Sequence, residues 1–237
     1  VLIIINEDNS TWCNLNTLLF SNTFVPMKGF FNVGSLLSKR LNILKKHSKT
    51  LTVTPAHINT CRFFLEVPAF TNHSFSIDSQ ALCRIARQSF EYELKNGSLE
   101  LKDCTGSCTL THKIAVGEPL HTSMHVDEPL ISFECPHEFV KFVLKLEGRS
   151  AMEMNVRDDG TVHCEVHDVV DYDFTFRMCK VLISNVESVD VKVRVGELLF
   201  MEDVLDNTMV FCVFEDFLLV YCYDQGSTLA VKVNLLV

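Results

Sequence analysis

The stretch Ser35-Leu-Leu-Ser-Lys-Arg-Leu-Asn-Ile-Leu-Lys-Lys-His47 sets Leu37, Leu41 and Leu44 at i, i+4 and i+7, the spacing that lines one side of a helix. Lys39 and Lys46 stand seven apart and opposite Leu37 and Leu44, so the pattern predicts a short helix with an apolar stripe and a basic solvent face. Strand-like runs follow at 51–54, 61–67 and 75–77. Asp78 or Ser79 can cap a second helix over 80–88, with Leu82, Ile85 and Ala86 on its buried side. Residues 92–95, the hairpin signal Asn96-Gly97, and runs at 99–103 and 108–114 close the series.

The grammar then starts again. Residues 117–129 hold one Gly, two Pro, two His and three acids without a period, and read as a connector. A third helix over 136–146 starts at Pro136, which suits a first helical turn. It carries Phe139, Val143 and Leu146 at i, i+4 and i+7. Strands at 151–157 and 161–167 flank the turn Asp158-Asp-Gly160. Further runs at 172–178 and 189–193, a fourth helix over 195–206, and strands at 209–214, 217–223 and 228–236 complete the half. Residues 168–188 absorb the extra spacing between the second pair of helices. The reading is an α+β chain of two structurally similar domains, 27–116 and 130–237, each with two helices packed on antiparallel sheets.

At 237 residues and 47% hydrophobic content the chain can bury a sizeable core. Its formal charge of -9, from 21 basic and 30 acidic residues, argues against a protein that coats nucleic acid with its whole surface. A local basic face remains open, and the helices supply one. Lys39, Arg40, Lys45, Lys46 and Lys49 lie on or just after the first helix, Arg84 and Arg87 on the second, and Lys141, Lys145 and Arg149 on the third and its end. These segments hold only Glu138 and Glu147 as acids. One such face is ordinary solvation, but three nearly free of acids point to a polyanion. The fourth helix departs from the pattern, with Arg194 outnumbered by Glu197, Glu202, Asp203 and Asp206.

Other chemistry finds little support. The ten cysteines mostly sit singly in strand-like runs and read as reduced, buried thiols of an intracellular protein. The sequons at Asn9, Asn72 and Asn96 would matter only in a secreted chain. His163 and His167 lie about 13 Å apart along a strand, too far to share an ion, and Cys104 and Cys108 have no partnering pair at zinc spacing. No phosphate loop, nucleophile elbow or paired-carboxylate motif is present, and no metal, cofactor or catalytic residue is expected. Residues 1–26 match neither a signal peptide nor a membrane span. They read as an extension, with Met27 as the expected true start.

The order helix, strands, helix, hairpin, repeated about a connector, resembles the ring-shaped DNA sliding clamps of the proliferating cell nuclear antigen type over residues 27–237. The best local matches are 49–59, Ile131-Ser-Phe-Glu-Cys-Pro-His-Glu-Phe-Val-Lys-Phe-Val143, Asp158-Asp-Gly-Thr-Val162 and 218–234. Within that group, Met27-Lys28 and Leu110-Thr-His-Lys-Ile114 are most similar to a divergent subunit of the heterotrimeric nine-one-one DNA-damage checkpoint clamp, whose partner subunits would tolerate an acidic fourth helix. The resemblance implies a nuclear, non-enzymatic protein in which Lys39, Lys45, Lys46, Arg84, Arg87, Lys141, Lys145 and Arg149 face double-stranded DNA without reading its sequence. It implies edge strands that meet two other subunits through Leu110, His112, Ile114, Phe174 and Phe176. It also implies a connector that receives the clamp loader and repair or checkpoint proteins. The competing readings are a homotrimeric replicative processivity clamp, an unrecognised hydrolase and a secreted β-rich interaction module.

Overall fold

The computed structural model describes residues 27–31, 35–67, 71, 73–85, 90–95, 97–105, 108–120, 127–167, 171–177, 179–224 and 227–236. The first half runs β1 (Met27–Phe31), α1 (Ser35–His47), β2 (Thr50–Val53), β3 (His57–Asn59), β4 (Phe63–Glu66), β5 (Phe75–Asp78), α2 (Ser79–Ile85), β6 (Phe90–Lys95), β7 (Ser98–Thr105) and β8 (Cys108–Gly117). The second runs β9 (Ile131–Cys135), α3 (His137–Lys145), β10 (Ala151–Arg157), β11 (Val162–Val166), β12 (Tyr172–Phe176), β13 (Lys180–Ser184) and β14 (Ser188–Arg194). It ends with α4 (Val195–Leu198), a 3-10 segment (Leu199–Val204), β15 (Thr208–Val213), β16 (Phe217–Asp224) and β17 (Ser227–Asn234). The fold class is α+β, with antiparallel sheets, as the sequence predicts.

Local chemistry explains the boundaries. Asp78 Oδ1 accepts the Ala81 N–H at 2.7 Å and caps α2. In the turn between β10 and β11, Gly160 has φ +80°, and a Cβ there would lie 2.3 Å from the Cys179 carbonyl oxygen, so only glycine fits. The fourth helix is the main departure: it makes one α turn and then tightens into 3-10. Val195, Leu198, Met201 and Val204 are buried at three-residue intervals, the spacing that a 3-10 helix lines up on one face, and Phe200 is buried beside them. Four strands have no counterpart in the sequence pattern: β1 precedes the first helix, β3 is only three residues long, β9 runs straight into α3, and β13 lies within residues 168–188.

Strand pairing repeats between the halves. In the first, β1-β6-β7-β8 and β5-β2-β3-β4 are hydrogen-bonded runs; in the second, β9-β15-β16-β17 and β14-β10-β11-β12 are the matching runs. Pairing of β5 with β8 at Ile77↔Val116 has its counterpart in the Val193↔Leu235 bridge. The extra strand β13 adds to the free edge of β9. The halves are fused where β4 pairs antiparallel with β17, at Leu65↔Leu229, Phe64↔Ala230 and Phe63↔Val231, which yields a 13-stranded sheet beside a 4-stranded one.

One hydrophobic core runs through both halves under the helices. It includes Leu41 and Leu44 of α1, Leu82 of α2, Phe139 and Val143 of α3, and the inward alternating residues of the strands. Full burial of each such side chain contributes about 1.5–3 kcal/mol before entropy is counted. The expected extension 1–26, the end of the second helix beyond Ile85, all three sequons and residues 121–126 of the connector lie outside the described residues.

Candidate nucleic-acid face and subunit edges

The helices form one layer. α1 packs beside α2, and α3 packs beside the 3-10 segment. The Cys83 thiol of α2 donates to the Leu41 carbonyl of α1 at 3.4 Å, and Lys46 of α1 forms an ion pair with Asp203 of the 3-10 segment. The order across the layer is therefore α2, α1, 3-10 segment, α3. Lys39, Lys45, Lys46, Arg84, Lys141 and Lys145 are all exposed on it. Lys141 and Lys145 stand on the side of α3 away from the buried Phe139, Val140 and Val143. Arg87 lies outside the described residues.

Two of the predicted phosphate contacts are placed differently from the sequence reading. Arg149 does not continue the stripe of α3, because the helix ends at Lys145. Its guanidinium instead lies 5.4 Å from the Tyr172 ring centroid, with Nη2 donating to the Tyr172 hydroxyl at 3.4 Å, which places it beside β12. Lys46 is on the expected face but engages Asp203, so a phosphate would have to compete with that carboxylate. Arg40 is 2% exposed, and among the described residues its Nε and Nη2 meet no hydrogen-bond partner. Burial pushes its pKa down, against the Cys222 thiol and the Asp224 carboxylate. It belongs to the interior, where the helical stripe of Leu37, Leu41 and Leu44 includes position 40.

Arg62 is a residue that charge counting on helices misses. From the turn before β4 it donates through Nε to the Lys232 carbonyl at 3.2 Å and meets Glu197 Oε2 at 3.1 Å. Glu197 in turn accepts the Asn234 N–H at 3.3 Å. Lys46–Asp203 and Arg62–Glu197 thus tie the first half to the second on the helix side of the β4–β17 junction. The carboxylates of the acidic fourth helix serve this junction as well as the surface.

Both strands expected at subunit contacts are sheet edges. β5 covers only Val116 and Gly117 of β8, so among the described residues the other side of β8 from Leu110 to Ala115 carries no strand. β12 pairs with β11 on one side, and among the described residues no strand pairs with its other side. Leu110 is 52% and Phe174 40% exposed, two of the large apolar side chains left in solvent. His112 is exposed, while Ile114 and Phe176 rest partly against the core. The inner face of β12 is an aromatic ledge: Phe174 lies 4.1 Å from Phe142 and Phe176 lies 5.3 Å from Phe139, centroid to centroid.

The opposite face of the large sheet holds a smaller apolar cluster. Phe214, Leu219, Tyr221 and Ala230 are buried there, with Phe64, Val210, Cys212 and Phe217 packed against them. Phe214 stacks on Phe217 at 4.6 Å, and Lys232 Nζ sits 4.4 Å from the Phe217 centroid. Leu120 of the connector donates its N–H to Thr52 Oγ1 at 3.2 Å, and Leu130, just after the connector, donates its N–H to the Val213 carbonyl at 2.8 Å.

His163 and His167 both reach Glu165, at 2.9 and 3.3 Å, and each turns its other ring nitrogen to a different carboxylate, Asp173 at 3.5 Å and Asp171 at 3.4 Å. Among the described residues no group of three or more His, Cys, Asp or Glu is arranged to hold a metal. Burial pushes the thiols of Cys164, Cys212 and Cys222 up to about 12, so they stay protonated and unreactive at neutral pH. No helix among the described residues is long and apolar enough to cross a membrane.

No protein-family model and no curated protein matches the sequence. Likeness appears in the fold. The chain is similar to the PCNA2–PCNA3 complex of Sulfolobus tokodaii, with a TM-score of 0.64 at 10% identity over 88% of this chain and 99% of that one. It is equally similar to PCNA of Thermococcus kodakaraensis, with a TM-score of 0.63 at 10% identity and the same coverage. The fold is therefore that of the PCNA-type sliding clamps.

Proposed function

We propose that the chain is one subunit of a ring-shaped sliding clamp that encircles duplex DNA and tethers DNA-repair and checkpoint factors in the nucleus, performing no chemistry itself. The observation that carries this reading is the helix layer. In a protein of net charge -9, exposed Lys39, Lys45, Arg84, Lys141 and Lys145 gather on one side of a clamp-like fold. A basic face of mobile side chains attracts phosphates by counterion release and reads no base edges. That is the interaction a sliding protein needs, with retention supplied by closure of the ring.

The connector and the apolar cluster beside it are the surface on which short peptides from the clamp loader and DNA-processing enzymes would dock. Two ring compositions follow. The resemblance to checkpoint clamp subunits brings a heterotrimer, in which β8 and β12 meet other chains. The second reading is a homotrimeric processivity clamp, in which the same two strands, β8 and β12, would meet between identical copies. Imaging of the assembly, formed alone or with candidate partner subunits, tests the clamp reading. A closed ring whose hole is lined by α1 and α3 is expected; an assembly without a hole, or partner peptides crosslinking consistently to the inner helices, would overturn it.

A further inference from the structure

Four sulfur-bearing side chains stand in one row across the large sheet. Cys135 of β9 lies opposite Met209 of β15, and Met209 lies opposite Cys222 of β16. On the other side of β9, the pairs Val181↔Phe133 and Lys180↔Glu134 lead on to Cys179 opposite Cys135. All four belong to the hydrophobic core, and so does Cys164, on β11 of the smaller sheet.

The geometry selects one couple among these thiols. A disulfide joins Cα atoms about 4.4–6.8 Å apart. Cys135 and Cys222 are two strands apart, about 9.5 Å, which is beyond that reach. Cys164 and Cys222 are sealed at 0% exposure. Cys135 and Cys179 differ on both counts. Directly opposed antiparallel residues that exchange no backbone hydrogen bonds have Cα atoms about 4.5 Å apart. The Cys179 N–H donates to the Gly160 carbonyl at 3.0 Å, not to Cys135, so the couple is of that kind. Next to burial itself, Cys179 is the neighbour that acts most on the Cys135 thiol. The two keep 9% and 6% of their surface in solvent, which leaves an approach for a small oxidant.

Their places in the chain give such a bond a consequence. Cys135 directly precedes Pro136 and α3, the helix of Lys141 and Lys145. Cys179 follows shortly after β12 ends at Phe176. A bond between them would close a loop of about 45 residues and tie the chain leaving β12 to the strand that enters α3.

We propose that Cys135 and Cys179 are a reversible oxidation site, reduced at rest and joined as a disulfide by hydrogen peroxide. One thiolate attacks the peroxide and takes an oxygen; the O–O bond breaks, one water leaves, and a sulfenic acid remains. The other sulfur attacks that sulfenic sulfur and displaces its oxygen as a second water. Both thiol protons end in water, the two sulfurs lose two electrons, and the peroxide is reduced. Burial pushes the Cys135 thiol well above its ordinary value and the Cys179 thiol above its own. Thiolates are therefore scarce at neutral pH, and the site answers to sustained oxidation, faster as pH rises. The inference does not depend on the clamp reading.

Non-reducing peptide mapping of the folded chain after graded exposure to hydrogen peroxide tests it, with exposed Cys61 reporting that the oxidant acts. The expected product is a peptide pair linked through Cys135 and Cys179, lighter than the two thiols by two hydrogens, with both thiols recovered by dithiothreitol. The linked chain should unfold about 4 °C or more above the reduced one, a rise that Cys179→Ser treated in the same way should lack. Linkage through Cys164 or Cys222 instead, both thiols intact after Cys61 is fully oxidised, or a linked chain that unfolds below the reduced one overturns the proposal.

Discussion

Replacing Lys141 and Lys145 together by Ala isolates the electrostatic part of the account. Both are exposed on α3, on the side away from the buried Phe139 and Val143, and four residues of helix separate them by about 6 Å along the axis. Each phosphate contact contributes about 0.9 to the slope of log affinity against log salt. Between 50 and 200 mM salt one contact therefore accounts for a factor of about 3.5, and two contacts for about 12. In a ring of three subunits the slope should flatten by at most about 5, because not all lysines touch DNA at once. Equilibrium binding to a short linear duplex by fluorescence anisotropy across that salt range reads the slope directly. Circular dichroism should show an unchanged unfolding midpoint. A double variant with the wild-type slope and affinity would refute the assignment of this face to DNA.

Asp203→Asn should act in the opposite direction: it frees Lys46 and removes a carboxylate from the basic layer, so DNA affinity at low salt should rise and the slope steepen by up to about 0.9 per subunit. Stability should fall by less than about 1 kcal/mol, since the pair is partly exposed; unchanged DNA binding would show that Lys46 does not contribute. Gly160→Ala should cost about 2 kcal/mol or more in chemical denaturation, from the positive φ and the approach to the Cys179 carbonyl; a neutral result would contradict the turn geometry. Burial holds the imidazoles of His47 and His57 below their ordinary value. Above about pH 6.5 both states are neutral there, and as pH falls the unfolded chain binds protons first, so the unfolding midpoint should drop from pH 7 towards pH 5. His57→Gln should make that drop shallower, and an equally steep one would remove His57 from the explanation.

The features legible in the sequence are those written in a short period. Leu37, Leu41 and Leu44, or Phe139 and Val143, mark buried helix faces by spacing alone, and Asn96-Gly97 and Asp158-Asp-Gly160 mark turns by residue type. The edges at β8 and β12 came from resemblance, since openness is a property of the whole sheet and no local pattern announces that a strand lacks a neighbour. Arg149, Lys46 and Arg40 show the limit of counting charges on a helix. Arg149 falls one turn beyond the end of α3, Lys46 meets a carboxylate far along the chain, and Arg40 occupies a position that the 3.6-residue period places inside. The tightening of the fourth helix into 3-10 has no unambiguous mark in the sequence, since the spacing of Val195, Leu198, Met201 and Val204 also fits i, i+3 neighbours of an α-helix.

Topological retention is the claim on which the rest depends. The complete assembly, loaded onto a nicked circular duplex and onto the same duplex linearised, should remain on the circle through a high-salt wash and slide off the free ends, and blocking those ends with a bound protein should restore retention. Equal retention on open linear and circular DNA, or equal loss from both, would show that binding is by surface contact alone and would contradict a sliding clamp.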